Sequence, residues 1–309
     1  MNQPLLNHAT ETMAVGSKSF ATASKLFDPV TRRSALMLYA WCRHCDDVID
    51  GQQLGFAAPA PAPLNTPEKR LEELRASTHA AFKGEPMHDP AFAAFQEVAL
   101  AQEIPERLAF DHLEGYAMDV REETYHSLDD TLRYCYHVAG VVGLMMAQVM
   151  GVRDQAVLDR ACDLGLAFQL TNIARDIVED AHAGRCYLPV SWLEKEGLTL
   201  QNYAEPAHRE ALARVAKRLI ITAEPYYHSA QAGLPGLPLR SAWAIATARG
   251  VYREIGVKVV AAGENAWQKR QGTSKLEKLG LLASAAGQAA TSRFGKTTVR
   301  PAALWQRPF

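Results

Sequence analysis

Two aspartate pairs at one-turn spacing, Asp46 with Asp50 and Asp176 with Asp180, are the residues of this sequence best suited to chemistry. On a helix, residues four apart stack along one side, where like charges repel unless a cation joins them. In YAWCRHCDDVID, Tyr39, Arg43, Asp46 and Asp50 recur at steps of four, three and four, beside an apolar stripe of Leu38, Cys42, Cys45 and Ile49. In QLTNIARDIVED, Gln169, Asn172, Asp176 and Asp180 recur at steps of three, four and four, beside Leu166, Leu170, Ile173 and Ile177. Each stretch therefore reads as a helix that packs by one face and presents oxygens by the other, with Arg43 or Arg175 close at hand.

If the two polar faces meet, four carboxylates converge on a cavity, and burying them requires cations or protons. Mg²⁺ fits this chemistry, being held by one or two carboxylates together with substrate phosphates, and the arginines then suit phosphate oxygens. Other signals are weaker. Cys42 and Cys45 form a C-x-x-C without a second pair for zinc. GKTT at 295–298 lacks the earlier glycine of a phosphate loop. Glu-x-x-His occurs four times; Glu123 with His126 and Glu179 with His182 keep open a di-iron bundle, in which Arg43 and Arg175 have no role.

The elements that must position these residues are helical. Apolar spacing of three and four recurs almost throughout, which predicts an all-α fold with helices at about 11–24, 31–50, 67–82, 89–101, 105–118, 127–150, 154–180, 189–195, 206–230, 239–262 and 275–286. The uncharged run 134–152, flanked by Arg133 and Arg153, approaches the length of a membrane span, but His137, Gln148 and two glycines favour a buried central helix. The alternating Ala and Pro of residues 56–67 suit an extended surface connection. One helical domain over residues 1–309 is expected, with 1–10 and about 288–309 as peripheral tails. The net charge of −1 provides no field for nucleic acid, and 48 % hydrophobic residues suffice for a large core. Five cysteines and a start without a basic, apolar leader suit a reducing cytoplasm.

SKSF (17–20), YAWCRHCDDVID, GYAMD (115–119), YCYHVAGVVG (134–143), QLTNIARDIVED, GRCYLP (184–189) and YREIG (252–256), in this order, resemble the squalene and phytoene synthase family over roughly residues 17–282. Within the family, the match to its bacterial, phytoene-forming branch is close. The resemblance implies an isoprenoid synthase fold around a central cavity. It also implies a prenyltransferase that condenses two geranylgeranyl diphosphates head to head, through a cyclopropyl diphosphate, in carotenoid biosynthesis. By this resemblance Asp46, Asp50, Asn172, Asp176 and Asp180 are metal-binding positions for Mg²⁺ or Mn²⁺, and Tyr39, Arg43 and Arg175 contact diphosphate. Ser17, Lys18 and Ser19 fall at the cavity mouth, Phe20 and Tyr134 line it, and Gln169, Tyr252 and Arg270 contact substrate. No dinucleotide fingerprint is present, so no nicotinamide cofactor is expected. A squalene or dehydrosqualene synthase using farnesyl diphosphate is the alternative. No residue stands out as the base for the final proton; departing diphosphate, with Tyr252 or Tyr39, is the expectation. So greasy a product implies peripheral contact with a membrane surface.

Overall fold

The fold, taken from a computed structural model, is described for residues 3–53, 56–57, 65–295 and 298–308, with the side chains of these except 18, 19, 52, 53, 56 and 57. As expected, it is all-α. The exception among the described residues is a two-residue antiparallel ladder pairing Gln52–Gln53 with Phe56–Ala57. Of the Ala and Pro connection that follows, residues 58–64 lie outside the described residues.

The first helices are α1 (Gln3–Gly16), α2 (Lys18–Ser24), α3 (Pro29–Asp50), α4 (Pro67–Phe82), α5 (Pro90–Ala101) and α6 (Glu106–Val120). After them come α7 (Leu128–Cys135), a π-turn (Tyr136–Gly140), α8 (Val141–Val149), α9 (Gln155–His182) and α10 (Val190–Lys195). The last are α11 (Arg209–Ala232), α12 (Leu239–Ala262) and α13 (Lys275–Thr291). Several of the starts follow from side-chain capping of free N–H groups. The Asp28 carboxylate accepts from Val30 N and Thr31 N with Pro29 in the first turn, and Asp154 does the same for α9 through Ala156 N and Val157 N. Ser127 and Ser274 form capping boxes with Asp130 and Glu277. At the far end of α3, Gly51 takes a φ of 64°, so the helix stops just after Asp50.

The axis of the molecule is α9, 28 residues and about 42 Å long. Around it pack α7, the π-turn, α8, α11 and α12. Two glycines let these backbones touch: a Cβ on Gly165 would lie 2.3 Å from the Ala139 carbonyl oxygen, and one on Gly143 2.3 Å from that of Ala161. The uncharged run 134–152 is buried, as expected, but is divided into α7, the π-turn and α8. Among the described residues no helix is long and apolar enough to cross a membrane.

Both tails differ from expectation. Residues 3–10 are the first turns of α1, whose Ala9 and Met13 are buried against α3 and α5. At the other end α13 runs on to Thr291, and the segment beyond it is fastened to α9: Arg300 donates to both carboxylate oxygens of the fully buried Asp163, at 2.7 and 2.8 Å, and Arg307 to Asp159 at 2.6 Å. Buried Leu304 and the Trp305 ring, tilted against Tyr136, complete the attachment.

Candidate active site

A cavity of about 500 Å³ runs alongside α9. Residues from Val157 to Asp180 of this one helix line it, a span of about 35 Å at 1.5 Å per residue. Its walls change character along that length. One end carries Asp46, Asp176, Asp180, Asn172, Arg43 and Arg175, whereas the other is lined mainly by Met150, Val157, Ala161, Leu164 and Leu237, with Arg160 among them. The helical stripes on α3 and α9 do face each other, with their apolar partners Leu38, Ile49, Leu166, Leu170 and Ile177 in the core.

At the polar end each arginine is bound to a carboxylate. Arg43 Nη1 lies 2.6 Å from Asp46 Oδ2, and Arg175 Nε lies 2.8 Å from Asp176 Oδ1. Arg270 reaches the same Asp176 from outside, at 3.1 and 2.9 Å, and is largely exposed rather than cavity-lining. These partners decide the protonation pattern. Burial pushes Asp180 up to about 8, with Asp176 and Glu179 adding to the effect. Burial likewise pushes Asp46 up to about 6, against the opposing field of Arg43. Burial acts on Asp176 too, but Arg175 and Arg270 outweigh it and hold that carboxyl below the usual range. The site thus has one firmly ionised carboxylate, Asp176, and two, Asp46 and Asp180, that hold their protons to higher pH than an ordinary carboxyl.

The carboxylates share a cavity without forming a cage. Among the described residues no three His, Cys, Asp or Glu side chains lie close enough to hold an ion unaided. Two observations suit a cation held jointly with an anionic ligand: the raised carboxyls, and the buried Asn172 Oδ1, which has no hydrogen-bond partner among the described residues. Asn172 Nδ2 reaches Gln169 Oε1 only at 3.5 Å.

The other expected residues fall as follows. Ser17 lines the cavity and caps α2, its Oγ accepting from Phe20 N at 3.3 Å; the side chains of Lys18 and Ser19 lie outside those described. Phe20 stacks on Tyr39 with ring centroids 6.1 Å apart, and Tyr252 stacks on Phe168 at 4.1 Å; all four rings line the cavity. The buried Tyr39 hydroxyl lies beside Arg43 and sits where a Cβ on Gly16 would be 2.5 Å away. Tyr134 stacks on Tyr187 at 4.4 Å. Asp50 departs from its expected place, because it does not line the cavity and is instead bound by Arg185 at 2.5 Å. The Glu-x-x-His carboxylates are taken by arginines, Glu123 by Arg121 and Arg133 and Glu179 by Arg270 at 3.8 Å, which leaves no di-iron ligand set there.

Arg185, Asp119 and Tyr187 are cavity residues that the spacing argument did not select. Asp119 accepts from Tyr187 Oη at 3.1 Å and Tyr134 Oη at 3.3 Å, and burial, opposed by Arg185, raises it to about 6. The signal for them lay in GYAMD and GRCYLP, short motifs outside any aspartate pair.

The Squalene/phytoene synthase family model matches residues 13–278, and the chain belongs to that family. It is 72 % identical over 309 residues to 15-cis-phytoene synthase of Pantoea ananas, covering all of both chains, and 51 % identical over 300 residues to that of Paracoccus sp., covering 97 % of each. A solved dehydrosqualene synthase in complex with ligand superposes with a TM-score of 0.81 at 26 % identity, over 94 % of this chain and 98 % of that one. The fold is therefore that of the isoprenoid synthases.

Proposed function

We propose that this protein is a phytoene synthase, a prenyltransferase that joins two geranylgeranyl diphosphates head to head. The cyclopropyl diphosphate formed first then rearranges to phytoene, with two diphosphates released in all. The observation that carries this reading is a single long cavity with a carboxylate and arginine end continuous with an apolar end, in a chain so similar to named phytoene synthases.

The residues divide the work by chemistry. Arg43 and Arg175 offer planar forks to phosphate oxygens at the cavity's polar end, with Tyr39 beside them and Arg270 at the rim. Asp46 on α3, and Asn172, Asp176 and Asp180 on α9, line the cavity and would hold Mg²⁺ or Mn²⁺, with Asp50 on α3 able to join them only on leaving Arg185. When bound, the ion supplies Lewis-acid stabilisation of charge on the departing diphosphate. The walls do the rest. Met146, Leu164 and Ile245 exclude water from the carbocation left behind, and the faces of Phe20 and Tyr134 attract it by about 0.5–2 kcal/mol each. Gln169 and Tyr252 position the chain below the diphosphate. Phytoene leaves for a bilayer, so the protein works in the cytoplasm against a membrane surface without spanning it.

Purified protein given geranylgeranyl diphosphate and Mg²⁺ should release two diphosphates for each phytoene. Diphosphate release without any C40 hydrocarbon would overturn the reading.

A further inference from the structure

Beneath the diphosphate end, the wall carries a hydrogen-bonded polar pair with no part in diphosphate binding. His112 and Tyr116 of α6 both line the cavity. Tyr116 Oη lies 3.1 Å from the carbonyl oxygen of Cys42, which is one helical turn, about 5.4 Å, along α3 from Asp46. This places the pair close to where the first carbons of a diphosphate-bound chain must sit.

The hydrogen bonds define where protons are and where one is lacking. His112 Nδ1 lies 3.1 Å from the carbonyl oxygen of His137, in the π-turn. A carbonyl only accepts, so Nδ1 carries the hydrogen and Nε2 a lone pair. That lone pair faces Tyr116 Oη at 3.1 Å. The single phenolic hydrogen thus stands between two acceptors, Nε2 and the Cys42 carbonyl, and the network is one proton short of full pairing. Adding a proton at Nε2 completes it: Nε2–H donates to Tyr116 Oη and Tyr116 donates to Cys42. The ring is held in place, 5.4 Å from the Trp41 ring centroid. Burial keeps the imidazole neutral, its pKa lowered to about 4, so the lone pair is available at working pH.

We infer that Tyr116 and His112 take the proton lost in the last step of the reaction, an inference that rests on the phytoene synthase reading. The final C40 allylic cation loses hydrogen from the carbon next to its cationic centre. The C–H electron pair becomes the new C=C bond, the proton goes to Tyr116 Oη, and the phenolic hydrogen passes to His112 Nε2. Tyr116 ends neutral and His112 becomes imidazolium, so positive charge moves from carbon to nitrogen without being created or lost. The cation is a far stronger acid than imidazolium, which makes even this weakly basic imidazole a sufficient acceptor.

The test uses the full chain with geranylgeranyl diphosphate and Mg²⁺, following release of the first diphosphate, phytoene and C40 alcohols. His112→Gln keeps a donor for the His137 carbonyl and an acceptor for Tyr116 but removes the proton affinity. It should release the first diphosphate at the wild-type rate while phytoene falls by about 10²-fold and water-captured alcohols appear. Tyr116→Phe should give the same split and carries the test if the glutamine variant fails to fold. Phytoene formation at the wild-type rate overturns the inference, and so does an equal fall in both steps by protein that melts at the wild-type temperature. If the wild-type chain makes no phytoene, the reading of function falls and the inference with it; if the wild type makes phytoene and both variants match it, only the inference falls.

Discussion

Replacing Arg185 by Gln isolates the contribution of a cation that joins the two ends of the site. Arg185 binds Asp50 across 135 residues of sequence, with side chains 33 % and 16 % exposed. Breaking a fully buried ion pair costs about 3–5 kcal/mol, and partial exposure lowers this to about 2–3 kcal/mol here. For 309 residues at about 2.1 cal/mol/K each, the unfolding entropy is about 0.65 kcal/mol/K. The melting temperature in chelator should then fall by about 3–5 °C. Because a divalent cation replaces the lost charge beside Asp50 and Asp180, Mg²⁺ with diphosphate should narrow the gap. Scanning fluorimetry of wild type, R185Q, D50N and the double variant measures both effects, and the double-mutant cycle should return a coupling of about 1–2 kcal/mol. A shift under about 1 °C for R185Q in chelator, or a gap that Mg²⁺ and diphosphate leave unchanged, refutes the reasoning.

Three further outcomes are expected. Asp46→Asn and Asp176→Asn should each lower phytoene formation by about 10²-fold or more, with an unchanged far-ultraviolet circular dichroism spectrum. Asp46 at about 6 and Asp180 at about 8 both lie above the ordinary carboxylate value, so their contribution to stability is complete below about pH 4 and lost as pH rises through 6 and then 8. In chelator the melting temperature should therefore fall between about pH 4 and 8, with Asp180 alone responsible for the fall above pH 6, and Mg²⁺ binding should release protons and strengthen over that window, as isothermal titration in two buffers would report. Gly165→Ala drives a Cβ to 2.3 Å from the Ala139 carbonyl and should cost about 1–3 kcal/mol or more in urea unfolding.

The stripes on residues 39–50 and 169–180 were legible because helical periodicity alone lines up Asp46 and Asp50, and Asn172, Asp176 and Asp180, beside their apolar stripes. Periodicity does not pair distant residues, however. Arg185 is found only when Asp50 is beside it, and Arg300 only when Asp163 is, which is why the C-terminal segment read as a tail. The π-turn at Tyr136–Gly140 left no mark in YHVAG, since one extra residue in a turn changes no residue type, and with it the His112 to His137 contact stayed hidden. Start signals fared better. Pro29, Pro67 and Pro90 open α3, α4 and α5 behind Asp28, Thr66 and Asp89, whereas α1, which begins without a side-chain cap among the described residues, was read as starting late.

The depth of the cavity, whose lining reaches Val157 about 35 Å along α9 from Asp180, is what separates a C20 from a C15 substrate. Product analysis by mass spectrometry, with equal concentrations of geranylgeranyl and farnesyl diphosphate offered together with Mg²⁺, tests it directly. The account predicts phytoene as the dominant hydrocarbon; a C30 product from farnesyl diphosphate in its place would contradict it.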